Sequence, residues 1–463
     1  MSTTLINNAI TYAGLPIHDS TIGNPLFTTW MVDASDGLQS FDVLCYGDSN
    51  NQYSPTGDAF TGFIDGLAKG FELLGIPTYG SPIYWAGAES RKYGLYFSTI
   101  SALPGGTGTV ELGSADSDSE YTTPKSDLAG PGGGLFSTSL GTGGDDWVKV
   151  ETASQAVSHK ITGDVAWPLS NQQITGRWLY IRTLLSAGAY NLLSIHSTPN
   201  QGNIAKNLSG QLGYDVVTQT LNAATRTAAI DMAFAGAGVG NNSSGKAGFV
   251  FNSMHTNIIG CCVSSIYSRA GASSTEYKND LTALYNHNSN TKLKLYIKEV
   301  VDRQLSANSN NTGRVAIFFN CGHNATAGST PVDTFTSDLK ETARLLKETW
   351  LSLGYKESNL CFIFTFAHPA STTQAGESSV FKGTRDKLLR DCAVLALNSC
   401  VVEHTSNLPA EAYVTQLLWD SAGNNTPSST PASHLVPAGY LAIGKVITSS
   451  LVNWYKGFIK QKK

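Results

Sequence analysis

The chain has 463 residues, enough for two or three domains that each bury a core of their own. Only 14% of residues are charged and the formal net charge is -4, which leaves no basic face for nucleic acid; nor does any run of about 18 apolar residues exist to span a bilayer. Gly, Ser, Thr and Asn are plentiful, so polarity comes instead from hydroxyls and amides, a surface that suits carbohydrate contact, an extracellular setting or a virion.

The first basic residue is Lys69, so the N-terminus lacks the positive flank of a secretory signal, and none is visible in this chain. Phe41 to Tyr46 is a short apolar run of strand formers that stops at Gly47-Asp48-Ser49. A helical pattern follows from Asp58 to Leu74, with Phe60, Phe63, Ile64, Leu67 and Phe71 recurring on one face.

From about Trp85 to His255 the character changes. Short apolar stretches alternate with Gly-Gly and Asn-Ser turn signals, which reads as β-sheet. Arg177 to Arg182 alternates well enough for a sandwich strand, with Trp178, Tyr180 and Arg182 on one face.

Strands are expected again at Cys261 to Tyr267, Arg314 to Phe319, Asn359 to Phe366 and Ala396 to Glu403. Helices over Leu281 to Leu305, Thr334 to Leu353 and Val380 to Leu395 separate them. This alternation predicts a parallel sheet covered on both faces, with functional residues at the carboxyl ends of its strands. The seven cysteines, Cys45, Cys261, Cys262, Cys321, Cys361, Cys392 and Cys400, include no C-x-x-C pair and read as buried thiols. No His/Cys cluster has zinc spacing, so neither a metal nor a cofactor is expected.

Four segments fall at predicted strand ends or before the last helix. In Gly47-Asp48-Ser49-Asn50, glycine allows a strained turn that lifts the serine out of the sheet. In Ser268-Arg269-Ala270-Gly271, a glycine lets a backbone N–H approach a reacting carbonyl closely, and in Asn320-Cys321-Gly322-His323-Asn324 an amide side chain offers a neutral donor. The fourth is Pro431-Ala432-Ser433-His434, which precedes a Pro-Ala-Gly helix start. Each segment alone also reads as an ordinary turn or helix cap.

In this order, Ser, Gly, Asn and His, the four segments resemble the sequence blocks of the SGNH/GDSL hydrolase family, over residues 41–75 and about 256–450. The resemblance implies a three-layer α/β/α, flavodoxin-like parallel sheet and a serine esterase mechanism. Ser49 would be the nucleophile and His434 its general base, with the oxyanion hole formed by the backbone N–H groups of Ser49 and Gly271 and the amide of Asn324. Two positions depart from the family pattern. Pro431 stands where an Asp commonly precedes the histidine by three residues, and Ala325 stands where many members carry Asp. Asp420 is the candidate acid in place of the missing one, with Glu403, or a backbone carbonyl that orients the ring, as alternatives.

The domain expectation is residues 1–85 and 256–463 for the hydrolase, interrupted at 86–255 by a β-sandwich or jelly-roll-like insertion. By analogy with family members that deacetylate polysaccharides, the insertion would bind glycan through aromatic residues such as Trp147, Trp167, Trp178, Tyr180 and Tyr190, although filling the sandwich core explains most of them as well. The expected substrate is an acylated glycan or small ester, most specifically an O-acetyl group on a polysaccharide. A homo-oligomer stays open. The rival expectation is a hydrolase scaffold without efficient chemistry that binds a glycan or receptor on a virion or cell surface.

Overall fold

The computed structural model describes residues 23–51 and 62–80, the strand segments of the stretch 84–256, and residues 257–269, 271–286, 290–321, 323–324, 330–369, 372, 387, 398–402, 408–421 and 425–462. In chain order the first elements are α1 (Pro25–Ser35), β1 (Phe41–Asp48), a single 3-10 turn (Ser49–Asn51), α2 (Phe63–Leu73) and β2 (Thr78–Gly80). Eleven strands follow: β3 (Tyr84–Trp85), β4 (Thr99–Ala102), β5 (Val110–Gly113), β6 (Trp147–Val150), β7 (Gln155–Thr162), β8 (Gln173–Arg182), β9 (Leu192–Thr198), β10 (Ile204–Asn207), β11 (Leu212–Thr220), β12 (Ala229–Ala235) and β13 (Ala247–Thr256). The chain then runs through β14 (Cys261–Arg269), α3 (Ser274–Asn286), α4 (Thr291–Ala307), β15 (Val315–Cys321), α5 (Val332–Ser352), β16 (Leu360–Phe366) and β17 (Ser399–Val401). It closes with α6 (Ala410–Gln416), the short pair β18 (Trp419–Asp420) and β19 (Pro427–Ser428), and α7 (Pro437–Lys462).

The central sheet has the order β17-β16-β15-β1-β14-β2, and every neighbouring pair in it is parallel. Apart from the three-residue edge strand β2, the order is that of a flavodoxin-like sheet, with β1 between strands reached by crossovers in opposite directions. The carboxyl end of β1 is therefore the crevice where such a sheet receives a ligand.

Strand β15 shows why the sheet is covered twice. Val315, Ile317 and Phe319 pack on the α3–α4–α5 side, while Ala316 and Phe318 pack on the side of α1, α2 and α7. The two cores fix the α/β/α layers through the period-two alternation of strand side chains. Helices α2 and α7 cross at glycines. A Cβ on Gly66 would lie 2.0 Å from the Tyr440 carbonyl oxygen, and one on Gly444 would lie 1.8 Å from that of Gly66. Only glycine permits this approach, which brings the N-terminal turn of α7 next to the 3-10 turn after β1.

Between β2 and β14, the strands form two antiparallel sheets, one of order β10-β9-β12-β7-β4 and one of order β11-β8-β13-β6-β5 with β3 paired to β13. This is the antiparallel pairing expected of a sandwich. In β8, Trp178 pairs with Asp215 and Asn252, and Tyr180 with Gly213 and Phe249. Trp147 lies in β6, whereas Trp167 and Tyr190 lie outside the described residues.

One helix expectation changes and another is not tested. The single helix expected over Leu281 to Leu305 is two, α3 and α4, broken where Asn290 takes a left-handed conformation at φ 68. The Asn-His-Asn-Ser-Asn run before α4 supplies the residue type that tolerates this backbone. The helix expected at Val380 to Leu395 falls outside the described residues apart from Lys387.

A buried charge cluster joins the two kinds of sheet. Asp42 on β1 accepts from Arg303 Nε at 3.1 Å and lies 3.0 Å from His255 Nε2, and all three side chains are fully buried. Arg303 also donates to Ser264 on β14 at 3.1 Å, and His255 Nδ1 lies 2.9 Å from the Thr256 carbonyl oxygen. Burial alone would raise the Asp42 pKa, but Arg303 and His255 outweigh it and hold the carboxylate below its ordinary range. Cys262 lies close enough to Asp42 and His255 for the three to present metal-ligand atoms within 4.8 Å of one another. The guanidinium on Asp42 makes this an ion-pair network, because a cation would have to share that carboxylate with Arg303.

Candidate active site

The ends of β1, β14, β15 and β16 and the loop before α7 converge on one place. Strand β1 stops at Asp48 and turns directly into Ser49–Asn51. Gly47 serves this turn by close approach to β15 rather than by a positive φ: a Cβ there would lie 2.4 Å from the Asn320 carbonyl oxygen. Ser49 is half-buried, and its Oγ lies 2.9 Å from His434 Nε2. The structure thus brings together two residues that are 385 apart in sequence.

The His434 loop is held as a strand would be. Asp420 N donates to the His434 carbonyl at 3.0 Å, Val436 N donates to Leu418 O at 3.0 Å, and Trp419 bridges Leu435. Tyr440, in the first turn of α7, ties this loop to the serine turn: its hydroxyl donates to Asn50 Oδ1 at 2.8 Å and accepts from Leu435 N at 3.3 Å. Pro431 sits at the start of the loop, and Glu403 lies outside the described residues.

Asp420 is buried, and its two oxygens accept from the backbone N–H groups of Asn425 and Thr426 at 2.9 and 3.0 Å. Its charge favours protonated His434, but two larger influences oppose it. Burial, then the neighbouring His323, lower the His434 pKa to about 4. The ring is therefore a free base at neutral pH, as a proton acceptor for Ser49 must be.

The two remaining predicted residues lie alongside. Gly271 has φ +71, and a Cβ there would meet nothing within 4 Å, so glycine is required by backbone conformation and not by crowding. Asn324 Nδ2 donates to the Ala272 carbonyl at 3.1 Å and to Asp48 Oδ2 at 3.3 Å. Its neighbours Gly322 and Ala325 lie outside the described residues.

Three residues of this neighbourhood were given no catalytic role in the sequence reading. Asp48 is buried, and its Oδ1 accepts from both the backbone N–H and the side chain of Asn50, at 2.9 and 3.0 Å. Burial raises its pKa, while the Asn50 N–H and His323 work in the other direction. His323 is pushed toward the neutral form by burial, against the pull of Asp48, and its buried Nδ1 finds no hydrogen-bond partner among the described residues. The His323 ring stacks on His368, with centroids 4.9 Å apart and planes at 25°. His368, just beyond the end of β16, lies 3.0 Å through Nε2 from the Ala432 carbonyl oxygen. Its position in Phe366-Ala367-His368-Pro369 was the available signal, since carboxyl ends of parallel strands gather site residues.

Among the described residues no helix is long and apolar enough to cross a membrane. No family model matches the sequence, and no curated protein matches it either. Among solved structures, the chain is similar to the YxiM protein of Bacillus subtilis, at 10% identity and TM-score 0.30, over 66% of this chain and 88% of that one. It is also similar to a lipase/acylhydrolase from Enterococcus faecalis, at 15% identity and TM-score 0.24, over 42% of this chain and 76% of that one. A third is a family two carbohydrate esterase from Clostridium thermocellum, solved with cellohexaose, at 9% identity and TM-score 0.24, over 67% of this chain and 95% of that one.

Proposed function

We propose that this chain is a serine esterase that hydrolyses an O-acyl ester, most specifically an O-acetyl group on a polysaccharide, outside the cell or on a virion. The reading is carried by the 2.9 Å contact between Ser49 Oγ and His434 Nε2 at the carboxyl end of β1. His434 takes the Ser49 proton as Oγ attacks the ester carbonyl, and the resulting oxyanion accepts from the N–H groups of Ser49 and Gly271 and from Asn324. The oxyanion takes the place of Asp48 at Asn324 Nδ2, the longer of the two contacts that this amide makes. His434 then passes its proton to the departing sugar oxygen, leaving an acyl group on Ser49. Water, deprotonated by His434, attacks that acyl group and releases the acid with Ser49 restored.

Asp420 fills the place of the acid. Its carboxylate is fixed by two backbone N–H groups and stabilises the imidazolium that forms during each half-reaction. Residues 1–85 and 256–463 constitute the hydrolase in this reading, and 86–255 form a glycan-binding insertion.

The test is turnover of p-nitrophenyl acetate by the wild type and by Ser49→Ala, followed by acetate release from acetylated polysaccharides and a series of longer acyl esters. Wild-type turnover lost in the variant, with a steep fall beyond propionyl, is the expected result. Equal rates for the two proteins, or both at the buffer rate, overturn the esterase reading. The second of these outcomes would leave a glycan-binding scaffold without chemistry.

A further inference from the structure

We propose that His368 is a positioning residue for the base: its imidazole, stacked on His323, donates to the Ala432 carbonyl and so sets where His434 stands against Ser49. The inference rests on the esterase reading for its kinetic consequences, but its geometry is independent of any substrate. Ala432 precedes His434 by two residues, so a bond at its carbonyl fixes the chain just before the base. His368 is itself buried, with only 4% of its surface exposed, and follows β16, a strand buried at every position. The loop is therefore anchored at the end of a fully buried interior strand of the sheet.

A row of rings extends from this contact. His323 stacks on His368, His368 lies 6.5 Å from Tyr413, and Tyr413 lies 5.4 Å from Trp419, all as centroid distances with interplanar angles of 25 to 33°. Trp419 Nε1 donates to the Pro369 carbonyl at 3.3 Å, and the next residue is Asp420. The row thus begins one residue before the Asn324 amide and ends one residue before the Asp420 carboxylate. Bonds at Ala432 and Pro369 stitch it to the base loop and to the end of β16. Rigid rings at this spacing carry the relative placement of the oxyanion donor, the base and the acid, which the serine turn alone cannot set. In a site that works by preorganisation, a shift of about 1 Å is enough to cost ~100-fold in rate.

The experiment compares His368→Phe, which keeps a ring in the stack but has no donor, with His368→Gln, which keeps an N–H near the Nε2 position. Steady-state kinetics on p-nitrophenyl acetate are combined with 15N-imidazole NMR titration of His434, assigned by its loss in His434→Gln. The expectation is a kcat ~10- to 100-fold lower in the Phe variant with KM little changed, and recovery to within ~3-fold in the Gln variant. In the Phe variant the His434 titration should also move upward toward the ordinary histidine range, as the loosened loop admits water. Unchanged kcat and unchanged His434 titration in a folded Phe variant overturn the proposal. So does a Gln variant as impaired as the Phe variant in both readouts. If the wild type hydrolyses no ester but the NMR shift appears, the positioning role stands and the esterase reading falls; if neither appears, both fall.

Discussion

The low pKa of His434 makes a quantitative claim about acid tolerance. A histidine at its ordinary value of about 6.5 is only ~3% unprotonated at pH 5, whereas one lowered to about 4 is ~90% unprotonated there. The kcat/KM of the wild type at pH 5 should therefore lie within ~1.5-fold of its value at pH 7, instead of falling ~20-fold. The assay is initial velocity on p-nitrophenyl acetate well below KM, read at the isosbestic wavelength of nitrophenol and corrected for buffer hydrolysis, with circular dichroism to show that the fold persists at each pH. Asp420→Asn sharpens the test. Because Asp420 raises the His434 pKa, its neutralisation should move the acid limb lower still while depressing the plateau, by as much as ~10⁴. An inflection near 6.5 in the wild type, or an acid limb that moves up in Asp420→Asn, would refute the account of burial outweighing the carboxylate. The same lowered pKa links to stability. The unfolded chain binds the proton more readily, so the His434 contribution is fully present above about 6.5 and is lost as pH falls toward about 4.

Three further outcomes follow from geometry. Asn324→Ala removes the proposed oxyanion donor and should lower kcat by ~10²–10³ with little change in KM, which steady-state kinetics will read. Asp42→Asn leaves Arg303 buried without its counter-charge and should cost about 3–5 kcal/mol in denaturant unfolding at pH 7. Since the folded Asp42 pKa is depressed, that difference should be level above about pH 5 and should shrink as pH falls below about 4, where the unfolded carboxylate protonates first. Gly444→Ala places a methyl group 1.8 Å from the Gly66 carbonyl oxygen and should destabilise the fold by about 1–3 kcal/mol. It should also lower kcat, because α7 carries Tyr440 into contact with both Asn50 and Leu435.

The parts of this structure that were legible in the sequence obey a local rule. Apolar strand runs ended by Gly, Asn or Ser gave the parallel sheet, and placing Ser49, Gly271, Asn324 and His434 after its strands or before its last helix brought them to one end. Asp48, His323 and His368 were not legible as site residues, because their significance arises from partners far away in the chain: Asn324 for Asp48, and Ala432 for His368. A stack between His323 and His368 depends on the register of β15 with β16, where Cys321 pairs with Phe366, and no spacing within either segment announces it. Gly47 was read as a turn glycine, yet what constrains it is a neighbouring strand's carbonyl, a steric fact visible only once β1 and β15 are paired.

The Asp42–His255–Arg303 cluster bears on the order in which this protein can be made. His255 lies 213 residues after Asp42, and Arg303 lies 261 residues after it. As the chain leaves the ribosome, the strand that leads to Ser49 emerges with a carboxylate destined for full burial while both of its partners are still unsynthesised. That strand gains both charge partners only after strands β3 to β13 and most of helix α4 have appeared. The strand that leads to Ser49 is therefore expected to settle late in biosynthesis, and a nascent chain stalled before Arg303 should hold Ser49 in an unassembled site.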